Sequence, residues 1–263
     1  MPDHATLTKI IEAWRGHHIT TEADYDTYLG DYHVLFAYHS NKIEDAGVSL
    51  NQTREIFENG KVINYTGDLR AIFETQNQKE CYEWLKPRLV KKEKITPDFI
   101  LDIHEKLMHG CYDEHRYLEG ERPGTWKKHL YGVGLSAGLP PEDIPGEAEY
   151  LCNEIKDFHN DDIEKIFSAA AFFHCNIEYL HPFADGNGRT GRTLMNYFLM
   201  LQNIPPIIIF DEDKKLYYEA LAVFDEKEKI DGFVSFMKDE MIKTWYREKR
   251  TPSSGKRKMM ICL

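Results

Sequence analysis

The side chains best suited to chemistry lie together in one stretch of twelve residues, His181–Arg192. The stretch begins with His181, whose imidazole can accept a proton near neutral pH and therefore suits a general base. Asp185 follows and supplies a hard carboxylate oxygen, which is the ligand that Mg²⁺ takes when it also bridges substrate phosphates. The first half of the stretch thus predicts a proton acceptor beside a metal ligand.

The second half of the stretch is suited to binding an anion. Asn187 is a good N-cap residue, and the small residues Gly186 and Gly188 let backbone N–H groups approach a ligand closely at the start of a helix. Arg189 and Arg192 stand three positions apart on that helix, hence on one face, and add two positive charges. Base, metal ligand, anion site and cations together predict transfer of a phosphate-containing group to a hydroxyl.

The alternative to this chemical interpretation is an ordinary turn between two helices. Such a turn uses glycine and asparagine for its geometry and leaves aspartate and arginine as surface charges. For any one of these residues that explanation is sufficient. Six polar groups within twelve positions favour the chemical interpretation.

Two amphipathic helices must position this stretch. In Ile163–His174 the apolar residues recur at spacings of three and four, which predicts a helix with one buried stripe. His174 lies on that stripe and is predicted to be a hydrogen-bonded core histidine. The second helix is predicted over Asn187–Asn203, because the Pro205–Pro206 pair that follows cannot continue it.

Other helices are predicted upstream, at Glu55–Asn59, Leu69–Leu85 and Asp98–Met108. Pro123–Pro145 is predicted to be non-helical because glycines and prolines interrupt it, and Leu130–Val133 allows a short hairpin. The predicted fold class is therefore all-α with one small β-hairpin.

Composition excludes several classes of protein. The 263 residues are 42% hydrophobic, which fills a sizeable core, and the formal net charge of −11 argues against a nucleic-acid partner. No run of about 18 uncharged apolar residues occurs, so neither a signal peptide nor a membrane span is expected. The five cysteines form no CxxC pair, which argues against a disulfide framework or a cysteine zinc site and favours a reducing cytoplasm.

The stretch His181–Arg192 resembles the signature of the Fic family, HPFxDGNGRxxR with Asp or Glu at the acidic position, and matches it at every specified residue. Ile103–Met108 resembles the family's early LHxxL helix, and Pro140–Pro145 resembles the segment that follows its flap hairpin. Ser40–Glu44 resembles the N-terminal inhibitory motif of self-inhibited members. The resemblance extends over about Tyr38–Trp245.

The resemblance implies a Fic-like helical core with a β-hairpin flap. It also implies an enzyme that transfers AMP from ATP to a Ser, Thr or Tyr hydroxyl of a protein, including itself, with Mg²⁺ as cofactor. In the family's roles, His181 is the general base and Asp185 holds Mg²⁺ on the α- and β-phosphates. Five further positions are implied to bind the nucleotide: Gly186, Asn187 and Gly188 at the α-phosphate, and Arg189 and Arg192 at the outer phosphates.

The inhibitory motif implies self-inhibition. The family's geometry pairs Glu44 with Arg192 and fills the space that the γ-phosphate of ATP needs, and Ser40 opens the motif. A carboxylate and a phosphate cannot both take the same guanidinium donors, so only one anion is expected to hold Arg192 at a time. The family usually follows this Glu with Gly or Asn, whereas Asp45 follows here.

The predicted organisation is an N-terminal helical region with the inhibitory helix at residues 1–95, a catalytic core at 96–246 and a basic, poorly ordered tail at 247–263. The resemblance implies that a target protein with a surface hydroxyl docks on the flap at 130–138 by strand addition, whereas the residues alone would also suit an ordinary polar loop. Nucleic acid and membrane are not expected as partners, and a homo-oligomer is left open.

Three alternatives stay open at this point. Relatives with the same fold transfer other groups, such as a phosphoryl group or phosphocholine. A nucleotide-binding regulator without catalysis is a second alternative, and a purely structural helical scaffold is a third. The run Gly186–Gly191 also fits the dinucleotide fingerprint GxGxxG, but that fingerprint requires a preceding strand, and a helix is predicted there.

Overall fold

The structure is a computed structural model that describes residues 4–63, 65–131, 138–250 and 257–261. Helices dominate these residues, as the sequence predicts. In chain order the elements are α1 His4–Gly16, α2 Glu22–Leu29, α3 Tyr32–Ile43, α4 Leu50–Asn59, α5 Leu69–Val90, α6 Pro97–Met108, α7 Glu114–Leu118, α8 Ile144–Ile155, α9 Ile163–Leu180, α10 Asn187–Leu201, a 3₁₀ helix at Asp211–Asp213, α11 Lys214–Lys227, α12 Asp231–Trp245, β1 Tyr246–Arg250 and β2 Arg257–Ile261.

Helices α9 and α10 form the centre of the fold and pack extensively on each other. The Asp162 side chain caps α9 by accepting a hydrogen bond from the Glu164 N–H, and the apolar stripe of this helix is buried. Helix α10 is buried on nearly all sides, as expected of a helix in the middle of a core. Both central helices predicted from the sequence are confirmed, and His174 is buried with a 3.0 Å hydrogen bond to the Tyr217 hydroxyl.

The N-terminal helices pack against this centre through α3 and α5. Helix α5 buries polar as well as apolar side chains. One of them, Asn77, donates hydrogen bonds to the carbonyl oxygens of Leu107 at 3.1 Å and His109 at 2.8 Å. These bonds join α5 to the end of α6, so α5 lies beside the stretch that carries the reactive side chains.

The non-helical segment ends earlier than the sequence predicts. Helix α8 begins at Ile144, and Pro145 lies in its first turn, where a proline is tolerated because its missing N–H has no helical partner to lose. The hairpin predicted within Leu130–Val133 and continuing to Gly138 falls mostly on residues 132–137, which lie outside the described residues. The flap therefore stays a prediction.

The two strands lie in the segment that the sequence predicts as a poorly ordered tail. They pair antiparallel, with Tyr246 opposite Ile261 and Arg250 opposite Arg257. The strands are short, and their sequences carry no clear period-two pattern. They could therefore not be predicted from the sequence, and they are identified only by their pairing with each other. The division of the chain at residues 95 and 96 stays a prediction.

Candidate functional site

A short turn at His181–Gly186 joins α9 to α10 and carries the first half of the reactive stretch. His181 is the C-terminal cap of α9 and has a left-handed backbone, with φ of 47°. Gly186 is the N-terminal cap of α10, with φ of 80°, and an added Cβ there would collide with the Met108 side chain. The turn is thus held in a backbone conformation that directs α10 back into the core.

His104 on α6 fixes the middle of this turn. Its Nε2–H donates to the Asp185 carbonyl oxygen at 2.9 Å, and its Nδ1 accepts from the Gly124 N–H at 2.9 Å. Its ring stacks on the Phe183 ring with centroids 3.6 Å apart. Burial lowers the pKa of His104 to about 3, so the ring is neutral and links the turn, through Asp185, to the backbone at Gly124.

Asn187 does not cap α10 as the sequence predicts, because Gly186 takes the cap position and Asn187 is the first residue of the helix. Its side chain turns back into the loop instead. The amide oxygen accepts from the Phe183 N–H at 2.8 Å, and the amide nitrogen donates to the Phe183 carbonyl oxygen at 2.9 Å. The same nitrogen lies 2.9 Å from His181 Nε2, so Asn187 holds both ends of the turn.

The hydrogen bond from Asn187 identifies the unprotonated nitrogen of His181. Because the amide nitrogen donates, Nε2 must be the acceptor and the proton is on Nδ1. Burial, and after it the positive charge of Lys127, lowers the pKa of His181 to about 4. His181 is therefore neutral at physiological pH and presents a nitrogen that can take a proton.

Asp185 lies among three guanidinium groups. Its Oδ1 accepts from the Gly186 N–H at 2.6 Å and lies 3.4 Å from Arg189, and its Oδ2 accepts from Arg70 at 2.6 Å and lies 3.3 Å from Arg116. Burial alone would raise the pKa of this carboxyl, but the charges of Arg189 and Arg70 outweigh it and lower the pKa below its ordinary value. Asp185 is therefore ionised.

Arg189 and Arg192 lie on α10 and are both buried, which excludes the surface-charge alternative for them. The guanidinium of Arg189 forms an ion pair with Glu74 of α5, with nitrogen and oxygen 2.7 Å apart. Glu74 also accepts from Arg70 Nε at 2.8 Å. A carboxylate from an N-terminal helix thus neutralises the first of the two arginines.

Arg192 is held by the end of α3. Its Nε donates to the Ser40 hydroxyl at 3.0 Å, and its Nη2 donates to the Ser40 carbonyl oxygen at 2.9 Å and to Glu44 Oε1 at 2.8 Å. Burial would lower the pKa of this guanidinium, but the charge of Glu44 and other neighbouring groups raises it. The pair that the inhibitory motif implies, between Glu44 and Arg192, is present.

The carboxylate of Glu44 lies over the first turn of α10. An added Cβ on Gly188 would lie 2.6 Å from Glu44 Oε1 and 2.7 Å from Arg192 Nη1. Arg192 Nη1 is buried and has no hydrogen-bond partner among the described residues. The start of α10 therefore offers close access to its backbone and a cationic donor without a partner, which fit an anion-binding site. The carboxylate of Glu44 occupies the position of the anion.

Asp45 points away from this site. Its backbone is left-handed, with φ of 60°, which explains why Gly or Asn suits this position. Its side chain is 87% exposed and forms an ion pair with Lys214 at 3.2 Å. Asp45 thus adds no second carboxylate to the ion pair between Glu44 and Arg192.

The two ends of the predicted flap are attached to the turn. The Lys127 N–H donates to the Pro182 carbonyl oxygen at 2.9 Å, and the Leu139 N–H donates to the Leu180 carbonyl oxygen at 3.3 Å. Residues 132–137 between these anchors lie outside the described residues. Whatever those residues form, the chain enters and leaves them beside His181.

Every site residue predicted from the sequence is brought into this region: the turn and α10 supply His181, Asp185, Gly186, Asn187, Gly188, Arg189 and Arg192, and α3 supplies Ser40 and Glu44. Sequence reasoning missed the roles of Arg70, Glu74, Arg116 and His104. The only signal for the first two was a polar pair, four positions apart, in an otherwise ordinary predicted helix.

The fold and the site together define a helical protein in which a short polar turn joins the two central helices. Residues 94–199 match the model of the Fic/DOC family. The protein adenylyltransferase Fic of Aedes aegypti is 33% identical over 216 residues, and protein adenylyltransferase fic-1 of Caenorhabditis elegans is 32% identical over 193 residues. The chain therefore belongs to the Fic/DOC family, as the signature predicts.

These alignments take in 79% and 73% of this chain but only 40% and 36% of the two relatives. Among solved structures, a Fic-domain signalling protein of Bacteroides thetaiotaomicron is similar with a TM-score of 0.77 and 22% identity, over 91% of this chain and 94% of that one. C. elegans Fic-1 is similar with a TM-score of 0.66 and 25% identity, over 90% and 70%. These similarities confirm the helical Fic fold.

Proposed function

We propose that this chain transfers AMP from ATP to a Ser, Thr or Tyr hydroxyl of a protein, including itself. The observation that carries the proposal is the neutral His181, whose acceptor nitrogen is held by Asn187 at the start of α10. A proton acceptor beside an anion-binding helix terminus suits attack of a hydroxyl on a phosphate. The choice of AMP rests on the names of the relatives.

In the proposed reaction, the Asn187 amide releases His181 Nε2, which then takes the proton of the target hydroxyl while the hydroxyl oxygen bonds to the α-phosphorus. The bond from that phosphorus to the pyrophosphate oxygen breaks, and pyrophosphate leaves with the electron pair. The N–H groups at Gly188 and its neighbours and the guanidinium groups of Arg189 and Arg192 stabilise the charge on the phosphates. The N–H groups are fixed by the helix, whereas the two guanidinium groups must first exchange their carboxylate partners, Glu74 and Glu44, for phosphate.

Asp185 is the residue that would hold Mg²⁺. Its carboxylate is ionised, and its Oδ2 is bound only by side chains that can move away, which fits a hard divalent cation. When bound, the cation would neutralise charge on the α- and β-phosphates. The backbone N–H of Gly186 keeps Oδ1 fixed, so the carboxylate is oriented before a cation arrives.

We also propose that Glu44 inhibits the chain from within. Its carboxylate takes the Arg192 donor and lies over Gly188, which is the place where an outer phosphate would bind. Two anions cannot occupy one guanidinium edge, so ATP can enter only in a pose that leaves its α-phosphate misplaced. Activity then requires that Glu44 leave Arg192.

The remaining parts of the function are predictions. A target segment is proposed to add to the flap at 130–138, because the two flap anchors bring the chain beside His181. A cytoplasmic location is proposed from the four free cysteines among the described residues. No helix among those residues is long and apolar enough to cross a membrane.

Labelled ATP tests the function directly. The Glu44→Gly variant, freed of the proposed inhibition, is incubated with ATP labelled in the α- or the γ-phosphate, with and without candidate proteins. Transfer of α-label alone to protein is the expected result. Transfer of γ-label would assign phosphoryl transfer, and binding of ATP without any transfer would assign a nucleotide-binding regulator. Either outcome would overturn the proposal.

A further inference from the structure

Asp185 is bound by an arginine that does not belong to the signature. Arg70 lies in the first turn of α5, and its Nη2 donates to Asp185 Oδ2 at 2.6 Å. The two residues are 115 positions apart in the chain. Asp185 is 21% exposed and Arg70 33% exposed, so solvent screens this pair less than a surface ion pair.

The oxygen that Arg70 occupies is the one a cation would need. Oδ1 of Asp185 is engaged by the Gly186 N–H at 2.6 Å, a backbone bond that helps hold the turn. Oδ2 has only side-chain partners, so it is the oxygen that a metal ion can take without disturbing this backbone bond. A guanidinium that is hydrogen-bonded to this oxygen would repel a divalent cation that approached it.

Arg116 also approaches Oδ2, but less closely. It lies 3.3 Å from that oxygen, and its other nitrogen pairs with Asp113 at 2.8 Å. Asp113 caps α7, so this second pair holds Arg116 within its own helix. Arg70 is therefore the principal competitor for Oδ2.

Arg70 has a second partner that would keep it near the site after release. Its Nε donates to Glu74 Oε1 at 2.8 Å, and the same Glu74 oxygen lies 2.7 Å from Arg189. Arg189 lies 3.4 Å from Asp185, which closes a ring of four alternating charges. Arg70 can leave Asp185 while it stays on Glu74, so exchange with a cation needs only a local side-chain movement.

We propose that Arg70 is a second inhibitory residue, which acts on the metal ligand rather than on Arg192. This inference rests on the proposed function, in which Asp185 holds Mg²⁺. A cation binds Asp185 only in the fraction of molecules in which Arg70 has left Oδ2, so Arg70 lowers the apparent affinity for the cation. Helices α3 and α5 would then restrain the two ends of the Mg²⁺-ATP site by separate contacts.

The test is a calorimetric titration of ATP at a series of Mg²⁺ concentrations, and once in EDTA. It is made in the Glu44→Gly background, with and without Arg70→Gln. Mg²⁺ is expected to tighten the binding of ATP, and the Mg²⁺ midpoint is the concentration at which half of this effect is reached. We expect Arg70→Gln to lower the Mg²⁺ midpoint about tenfold, while the affinity for metal-free ATP stays within about twofold of that of the parent variant. An unchanged or higher Mg²⁺ midpoint would overturn the proposal. A parallel loss of metal-free ATP binding would also overturn it, because Arg70 would then be a phosphate ligand.

Three further variants make the result specific. Arg54→Gln removes an arginine of α4 that pairs with the exposed Asp31 at 2.9 Å, and it should leave the Mg²⁺ midpoint unchanged. Arg70→Lys keeps the charge but not the planar group, so it should lower the Mg²⁺ midpoint less than Arg70→Gln does. It replaces Arg70→Gln in the test if that variant fails to fold. Asp185→Asn should abolish the Mg²⁺ dependence. If the Mg²⁺ dependence persists in this variant, Asp185 is not the metal ligand, and the proposed competition between Arg70 and Mg²⁺ for Asp185 fails as well.

Discussion

The two sides of the site are held in different ways. On the side of the base, His181 is positioned by Asn187, and the turn is fixed by His104; all three residues lie within the matched family region. On the side of the phosphates, the charged groups of the turn and α10 pair with residues of α3 and α5. His181 is thus held by the matched core itself, whereas Asp185, Arg189 and Arg192 are each paired with a charged side chain from the N-terminal helices.

The largest effect expected concerns the base side. His181→Ala, made in the Glu44→Gly background, should retain ATP binding and lose roughly 10²- to 10⁴-fold in the rate of AMP transfer, because no other described group takes its place as proton acceptor. Labelling with α-labelled ATP measures the rate. Full self-modification by this variant would show that His181 is not the general base. The contrast between the two sides of the site would then no longer hold.

The next effect concerns the restraint on the phosphate side. Glu44→Gly should raise AMP transfer at least tenfold, because it frees Arg192, while the glycine costs only ~1 kcal/mol of helix stability. Asp45→Gly is the matched control: it is the neighbouring carboxylate, its backbone already has a φ of 60°, and its partner is Lys214. The control should leave transfer unchanged. An equal rise in both variants would mean that loosening of the segment, rather than loss of the Arg192 pair, activates the chain.

Asp185 is the acidic group on the phosphate side, and its effect can be separated from that of the arginines. Asp185→Ala should weaken binding of Mg²⁺-ATP roughly tenfold, or about 1.4 kcal/mol, and weaken metal-free ATP far less, since only the former uses the carboxylate. Calorimetry with and without Mg²⁺ separates the two. Equal losses would assign Asp185 to the geometry of the turn alone.

The smallest effect expected is in the pH dependence near neutrality. Because the pKa of His181 is lowered to about 4, the base stays unprotonated as pH falls from 8 to 5.5, and kcat/KM should change little over that range and fall only near pH 4. An ordinary histidine would lose activity from about pH 6.5. Lys127→Met should move the acid limb to higher pH, since one positive charge beside the ring is removed. An acid limb that stays near 6.5 in the unsubstituted chain would contradict the buried, neutral base.

Much of the fold could be predicted from hydrophobic periodicity. The helix at Asn187–Leu201 was expected within two residues, because the proline pair after it is a clear stop signal. The starts of α5 and α9 were also expected, but the helix from Leu69 was predicted to end at Leu85, five residues early. Periodicity did not predict α3 or α12, although the resemblance implied an inhibitory helix at Ser40–Glu44. Helix α3 packs against both α4 and α5, and a helix buried on more than one side loses the simple period of three and four.

The sequence by itself determined which groups could do chemistry, since the twelve-residue stretch carries its base, acid and cations wherever it folds. It did not determine the N-terminal cap of α10, because the side chain of Asn187 forms its hydrogen bonds with Phe183 in the turn and does not cap the helix. Only the tertiary structure decided which opposite charges meet. Arg192 and Glu44 are 148 positions apart, and Arg70 and Asp185 are 115 apart. Coulombic pairing depends on distance in space, and no spacing in the chain specifies it.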